Sequence, residues 1–134
     1  MKNYYVKSAH PMVYQSLLES HQARLHVNGG SMQPFIQRGD WVVIEPVKAP
    51  EMLKKGEIIL FSRGNEFVIH RIIKLEDEKI ITRGDWTRIK DPPISHNDVV
   101  GKVIEIEKTY LKIKLTNPFF RLINFLYYQI IRNF

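Results

Sequence analysis

The chain of 134 residues contains no cysteine, which excludes disulfide bonds and thiolate chemistry. It also lacks any apolar run near the ~20 residues that span a bilayer, and its first residues lack the ~7–15-residue apolar segment of a secretory signal. We therefore expect a cytoplasmic protein. A hydrophobic content of 44% with 25% charged residues indicates a globular chain that is long enough to bury a core.

Acidic residues are missing from the C-terminal part of the chain. Residues 108–134 contain five basic residues and no acidic one, whereas the first 107 residues carry a net charge of only +1. Nearly all of the net charge of +6 therefore lies in this tail. Such a basic segment favours an anionic partner, and because the tail is so aromatic and apolar, we do not expect that partner to be nucleic acid.

The same tail predicts an amphipathic helix over residues 118–134. Its polar residues share one stripe and leave a broad aromatic and aliphatic face; the stripe comprises Arg121, Asn124, Tyr128 and Arg132. Three surfaces could bury the apolar face of this helix: an anionic membrane surface, the protein's own sheet, or a second copy in a homodimer. Through this helix, a cytoplasmic protein could be held peripherally at a membrane.

The rest of the chain consists mostly of short apolar stretches that are separated by turn residues. They predict a mainly β fold, in the form of a partly open antiparallel barrel or sandwich, after an N-terminal helix over about residues 8–23. The expected strands are 24–28, 41–46, 57–63, 66–75, 79–83, 99–107 and 110–115. Residues 1–117 would form a single β domain and residues 118–134 the C-terminal helix.

One serine stands in a bend that suits acyl-transfer chemistry. Ser31 follows Gly29 and Gly30 and precedes Met32 and Pro34, so its hydroxyl can project beside exposed backbone N–H groups. A serine hydroxyl is a weak nucleophile and needs a neighbouring base to take its proton. The bend therefore becomes a candidate site only if the chain also supplies such a base.

His70 is the candidate base, because histidine accepts protons near neutral pH. A carboxylate can then fix the tautomer of the imidazole and stabilise its protonated form. Two aspartates follow in the sequence, Asp85 and Asp91, and either of them could support His70. The residues predict a Ser-His arrangement with an aspartate whose identity is open.

The motifs around these residues resemble, in order, the successive boxes of type I signal peptidases. They are Gly30-Ser31-Met32-x-Pro34, Lys55–Phe61, Val68-Ile69-His70-Arg71, Thr82-Arg83-Gly84-Asp85 and Val100-Gly101-Lys102-Val103. The resemblance runs from about Val27 to Val103. His70 stands where the common bacterial enzymes carry lysine, so the chain resembles the archaeal, endoplasmic-reticulum and sporulation-associated class.

The resemblance implies the signal-peptidase catalytic fold and a serine endopeptidase that cuts an extended leader- or signal-like segment. Ser31 would be the nucleophile and His70 the general base, with Asp91 orienting the histidine and Asp85 as a second supporting carboxylate. The oxyanion hole and the substrate edge would involve Gly29, Gly30, Met32 and Pro34. The family usually has a small hydroxyl residue in place of Gly29, and its N-terminal membrane anchor is not visible here. No cofactor or metal is implied.

Other functions remain open. A catalytically weak or inactive module could keep the fold and bind extended peptides, which Gly29 and the missing anchor favour. A self-cleaving repressor of the SOS-response type shares the Ser-Met-x-Pro motif. However, it uses lysine in place of His70, and the 30 residues before Ser31 leave no room for a DNA-binding domain. A zinc site built from His70, His96 and the two aspartates is another hypothesis.

Overall fold

Seven strands form the centre of the computed structural model, which describes residues 12, 13 and 15–133. They are β1 (Ala23–His26), β2 (Trp41–Glu45), β3 (Ile58–Arg63), β4 (Glu66–Leu75), β5 (Ile80–Arg83), β6 (Val99–Glu107) and β7 (Lys112–Lys114). They pair antiparallel in the order β1-β2-β6-β3-β4-β5, and β7 pairs with β6. This open sheet confirms the predicted mainly β, antiparallel fold class.

The predicted strands are all present, and the bounds of β4 and β6 agree with the expectation. The strand predicted over residues 110–115 is shorter, because the backbone groups of Lys108 and Leu111 pair with each other and close a turn around Tyr110. The N-terminal helix α1 includes residues 12, 13 and 15–20, and its predicted part before residue 12 lies outside the described residues. It ends before residue 23 because His21 adopts a φ of 59° and Ala23 already begins β1.

Alternation along β3 and β4 divides the core between the two faces of the sheet. Ile58 and Leu60 belong to the larger cluster, which also includes Val13 and Leu17 of α1. Their neighbours in β3 point the other way and join a smaller cluster, which comprises Leu53, Ile59, Phe61, Ile72, Ile80 and Ile94. Because His70 is two residues before Ile72, strand geometry directs its side chain toward the smaller cluster.

The C-terminal helix α2 spans Pro118–Ile131. It begins with Asn117 as N-cap, whose side-chain oxygen accepts a hydrogen bond from the Phe119 N–H at 2.9 Å, and Pro118 suits the first turn, where no helical partner is needed. Tyr128 and Ile131 are buried and pack with Ile73 of β4. No helix within the described residues is long and apolar enough to cross a membrane.

Part of the predicted polar stripe of α2 faces the sheet. Asn124 and Tyr128, members of the predicted polar stripe, point inward, because Asn124 bonds to buried Arg71 and the Tyr128 hydroxyl donates to the Ile73 carbonyl at 3.4 Å. Packing on its own sheet therefore accounts for only one side of the helix. The division of the chain into residues 1–117 and 118–134 remains a prediction.

Candidate active site

The fold brings Ser31, His70 and Asp91 together from three separate segments of the chain. Ser31 lies in the bend after β1, His70 in the middle of β4, and Asp91 in the loop after β5. The Ser31 Oγ lies 3.0 Å from His70 Nε2, and His70 Nδ1 lies 2.5 Å from Asp91 Oδ2. The side chains of His70 and Asp91 remain 13% and 16% exposed, so solvent reaches the pair.

The two contacts of His70 determine its tautomer. An ionised carboxylate can only accept hydrogen bonds, so His70 Nδ1 carries a proton and donates it to Asp91. In a neutral imidazole the other nitrogen is then an acceptor, and Ser31 donates its hydroxyl hydrogen to Nε2. This arrangement can move a proton from a serine hydroxyl to a histidine, as acyl transfer by serine requires.

Asp91 is held in its ionised form by its hydrogen bonds. Burial alone would raise its pKa, but hydrogen bonds from His70 and Thr82 and the nearby charge of Arg63 outweigh burial and lower the pKa below its ordinary value. Thr82 Oγ1 donates to the same Asp91 Oδ2 at 2.6 Å, and the Asp91 N–H donates to the Thr82 carbonyl at 2.8 Å. The carboxylate is therefore both charged and fixed in position.

Gly84 leaves the space in which the serine and the histidine meet. A Cβ at this position would lie 2.7 Å from the Ser31 carbonyl oxygen, 3.0 Å from His70 Nε2 and 3.1 Å from Ser31 Cβ. Any side chain would therefore press on both members of the pair at once. Glycine is needed here because Ser31 and His70, which belong to the candidate site, lie too close to this position for a side chain to fit.

The backbone of the serine bend leaves a donor available. The Ser31 carbonyl accepts from the Trp86 N–H at 2.9 Å, which fixes the bend against the loop after β5. Within the described part of the chain, the Ser31 N–H donates to no backbone carbonyl. It can therefore serve an oxyanion that forms beside Ser31. Gly29, which has no hydroxyl, adds no side-chain donor at this point.

A groove runs past Ser31 and His70 and continues along the backbone of residues 25–31. Its lining combines apolar side chains with the charged residues Arg38, Arg63 and Glu66. Gly29, Gly30 and Met32 line it, although Met32 is only 3% exposed and belongs mainly to the core. Pro34 is exposed and lies outside this lining.

Asp85 lies apart from His70 and makes an ion pair with Arg71. Arg71 Nε and Nη2 donate to the two Asp85 carboxylate oxygens at 2.9 and 2.8 Å, and both side chains are fully buried. Arg71 Nη1 also donates to the Gly56 carbonyl at 2.7 Å and to Asn124 Oδ1 at 2.5 Å. Of the two aspartates that the sequence leaves open, Asp91 is therefore the one that contacts His70.

Asp85 still touches the serine bend through its backbone. Its N–H donates to the Met32 sulfur at 3.4 Å, directly behind Ser31. This contact suggests a positioning role for the Arg71–Asp85 pair, which would hold the loop after β5 against the bend.

Several residues around the site were not among the sequence candidates. Thr82 and Gly84 occur in the Thr82-Arg83-Gly84-Asp85 motif, which could have identified them; Thr82 lies in β5 and bonds to Asp91, and Gly84 directly follows β5 and lies against Ser31 and His70. Asn124 carries no such signal, because its contact with Arg71 joins residues 53 positions apart. No group of three or more His, Cys, Asp or Glu side chains within the described residues could hold a metal ion, so the zinc hypothesis gains no support.

Comparison with known proteins places these features in a family. The family model Peptidase S24-like matches residues 3–104, which include the serine bend, β4 and the loop after β5. The chain is also 28% identical over 92 residues to the signal peptidase complex catalytic subunit SEC11 of Chaetomium globosum, in an alignment that covers 58% of this chain. The match spans 54% of the length of that relative.

Both comparisons agree with the resemblance to type I signal peptidases that the motifs indicate. The family match extends over well more than half of the chain and contains Ser31, His70, Asp85 and Asp91. The chain therefore belongs to the Peptidase S24-like family.

Proposed function

We propose that the protein is a serine endopeptidase of the signal-peptidase type. Ser31 acts as the nucleophile, His70 as the general base, and Asp91 as the residue that orients His70. The observation that carries the proposal is the continuous chain of contacts, with 3.0 Å from Ser31 Oγ to His70 Nε2 and 2.5 Å from His70 Nδ1 to Asp91. The distance from Ser31 Oγ to His70 Nε2 lies in the range for a hydrogen bond between a nucleophile and its base, and the contact between His70 and Asp91 is a short hydrogen bond that can fix the imidazole.

In the first step, Ser31 Oγ attacks the carbonyl carbon of the peptide bond while its proton moves to His70 Nε2. The resulting tetrahedral oxyanion accepts a hydrogen bond from the Ser31 N–H. His70 then gives its proton to the leaving amine, the C–N bond breaks, and an acyl-serine ester remains. In the second step, a water molecule loses a proton to His70 and its oxygen bonds to the ester carbonyl carbon. The ester C–O bond then breaks, the product leaves with a new carboxyl group, and His70 gives the proton to Ser31 Oγ, which regains its hydroxyl form.

The substrate is an extended segment of a leader- or signal-like peptide. It lies in the groove along residues 25–31 and adds to the open edge of the sheet, where β1, among the described residues, pairs only with β2. The apolar side chains in the lining of the groove favour small apolar side chains near the cut. We propose that the protein and this substrate are both cytoplasmic.

Cleavage of a mixture of extended peptides with small residues at many positions, followed by mass spectrometry, tests the proposal. The wild-type protein should yield defined products, and Ser31→Ala and His70→Ala should each remove cleavage with an unchanged circular dichroism spectrum. Ser20→Ala, an exposed serine of α1, is the matched control and should cleave normally. Products that persist in the folded Ser31→Ala variant would refute the mechanism.

A second candidate function is a peptide-binding module with little or no catalysis. It is favoured by Gly29, which leaves the oxyanion hole without the side-chain hydroxyl that the family usually has there. Loss of one such donor costs about a hundredfold or more in rate. Defined binding of peptides to the wild-type protein without any products, together with equal binding to Ser31→Ala, would favour the module over the peptidase.

A further inference from the structure

The outer side of α2 presents a row of large apolar side chains to solvent. Five of them are between 51% and 58% exposed; they are Phe119, Leu122, Phe125, Leu126 and Ile130. They recur at intervals of three and four residues, so they form one continuous strip along the helix. Singly exposed apolar residues are ordinary, but a contiguous strip of this kind marks an interaction surface. We call these five residues the outer strip.

The helix cannot turn this strip inward, because buried contacts hold its other side. Asn124 bonds to Arg71 at 2.5 Å and to the Gly56 carbonyl at 3.3 Å. Near the end of α2, the buried guanidinium of Arg83 donates to the Ile131 carbonyl at 2.8 Å. Rotation would leave two buried arginines without these acceptors, which costs more than the strip would gain.

The charged residues of α2 itself have a single sign. Arg121 and Arg132 are three helical turns apart and flank Phe125, so both cations lie along one margin of the outer strip. Lys112 and Lys114 of β7 are exposed as well, and residues 108–134 contain no acidic side chain. An apolar helix face bordered by cations is the pattern of helices that lie in the interface of anionic bilayers.

We propose that the outer strip docks α2 onto an anionic lipid bilayer, with the helix axis in the plane of the surface. A second copy of the chain is the less suitable occupant, because face-to-face pairing of the two helices would bring their cations together, and α2 itself has no carboxylate to neutralise them. In a bilayer the apolar side chains enter the acyl boundary, while Arg121 and Arg132 reach the lipid phosphates from the margin. This binding is independent of the peptidase chemistry.

Docking would also set where the candidate active site lies. Arg71, which holds Asn124 of α2, directly follows His70, and Arg83, which holds the end of α2, directly precedes Gly84. The helix is thus joined rigidly to both sides of the Ser31–His70 contact. A protein docked through the outer strip would carry its groove at a constant height and orientation relative to the lipid surface.

Flotation of the whole chain with lipid vesicles tests the proposal. The wild-type protein should bind vesicles of phosphatidylcholine with phosphatidylglycerol and bind pure phosphatidylcholine vesicles much less. The double substitution Leu122→Ser and Leu126→Ser should reduce binding by about tenfold to a hundredfold. Ile89→Ser, which changes an exposed isoleucine outside α2, is the matched control and should bind as the wild type does.

The double substitution Arg121→Gln and Arg132→Gln leaves the outer strip intact and provides a second variant should the serine variant not fold. It should reduce binding to the anionic vesicles by about tenfold and leave binding to neutral vesicles unchanged. The proposal is overturned if the wild-type protein does not float with anionic vesicles. It is also overturned if analytical ultracentrifugation shows a dimer that Leu122→Ser and Leu126→Ser dissociate, since the strip is then covered by a second copy.

Discussion

Two adjacent residues of β4, His70 and Arg71, point to opposite faces of the strand, and each meets its own aspartate. His70 contacts Asp91 beside the groove, where the two side chains keep 13% and 16% of their exposure. Arg71 contacts Asp85 inside the protein, where both side chains are fully buried. A basic side chain is therefore paired with a carboxylate in a partly exposed region and again in a fully buried one.

The difference in exposure distinguishes a side chain that can exchange protons from one that can only stabilise its surroundings. An imidazole can gain and lose a proton near neutral pH, and at the groove it can exchange that proton with Ser31 and solvent. A guanidinium stays charged, so the buried Arg71–Asp85 pair can only hold the surrounding segments in place. In the proposed mechanism, the dipeptide His70-Arg71 therefore provides the general base and a structural anchor in consecutive positions, and the predictions below test that division.

The largest effect on activity among the aspartates should come from Asp91→Asn. The amide keeps the shape of the side chain but favours the wrong histidine tautomer, so kcat should fall by about four orders of magnitude while KM changes little. Steady-state kinetics on a cleaved peptide would measure both parameters. A fall in kcat of less than about tenfold would remove Asp91 from the proposed mechanism.

Asp85→Asn should instead act mainly on stability. It leaves the buried Arg71 charge uncompensated, and the free energy of unfolding should fall by about 3–5 kcal/mol in urea titrations. Replacing both partners by apolar residues, as in Arg71→Met with Asp85→Leu, should recover much of this loss. If Asp85→Asn unfolds at the wild-type urea concentration, the buried pair is not the anchor that we infer.

Gly84→Ala tests the contact between Ser31 and His70 directly. The added methyl would lie within about 3 Å of both residues, and the displaced serine should lower kcat by about a hundredfold. The crystal structure of the variant should show a longer distance from Ser31 Oγ to His70 Nε2. Gly64→Ala, in the turn between β3 and β4, is a control for kcat, because an added Cβ there meets no atom within 4 Å; its φ of 60° should make this substitution lower stability and leave kcat unchanged.

Asn124→Ala should lower stability less, and it tests the link between α2 and the buried Arg71–Asp85 pair. Removing the amide oxygen leaves one Arg71 N–H without this acceptor, which should cost about 1–3 kcal/mol of stability. Gln129→Ala on the same helix should cost less, since its side chain does not reach Arg71. Equal losses in the two variants would show that the contact between Asn124 and Arg71 contributes nothing specific.

The smallest expected effect is a dependence of stability on acid pH through Asp91. Its pKa in the folded protein lies below its ordinary value of 3.8, so its contribution is fully present above that value. The contribution is lost as the pH falls from about 4 through the lowered pKa, because the unfolded chain binds the proton first. Urea titrations at several pH values should show that acid lowers the free energy of unfolding less in Asp91→Asn than in the wild type. The same dependence on pH in both proteins would contradict this.

Much of the fold was predictable because strands and turns leave local signals. The alternation of apolar residues, with glycine and acidic turns between them, locates β3, β4 and β6 to within one residue. The shortening of β7 was not predictable in this way, because the hydrogen bonds between Lys108 and Leu111 close a turn whose residues also suit a strand. The end of α1 depends likewise on the single backbone angle of His21.

The sequence by itself determined the mainly β architecture and the segments that contain Ser31, His70 and the two aspartates, because hydropathy and motif order are local properties. The tertiary structure alone decided which aspartate contacts His70, because the loop after β5 carries Asp91 to the imidazole and turns Asp85 into the core. It also decided which side of α2 faces inward. The buried Arg71 required an acceptor, and Asn124, far away in the chain, supplied it at the cost of leaving an apolar strip outside.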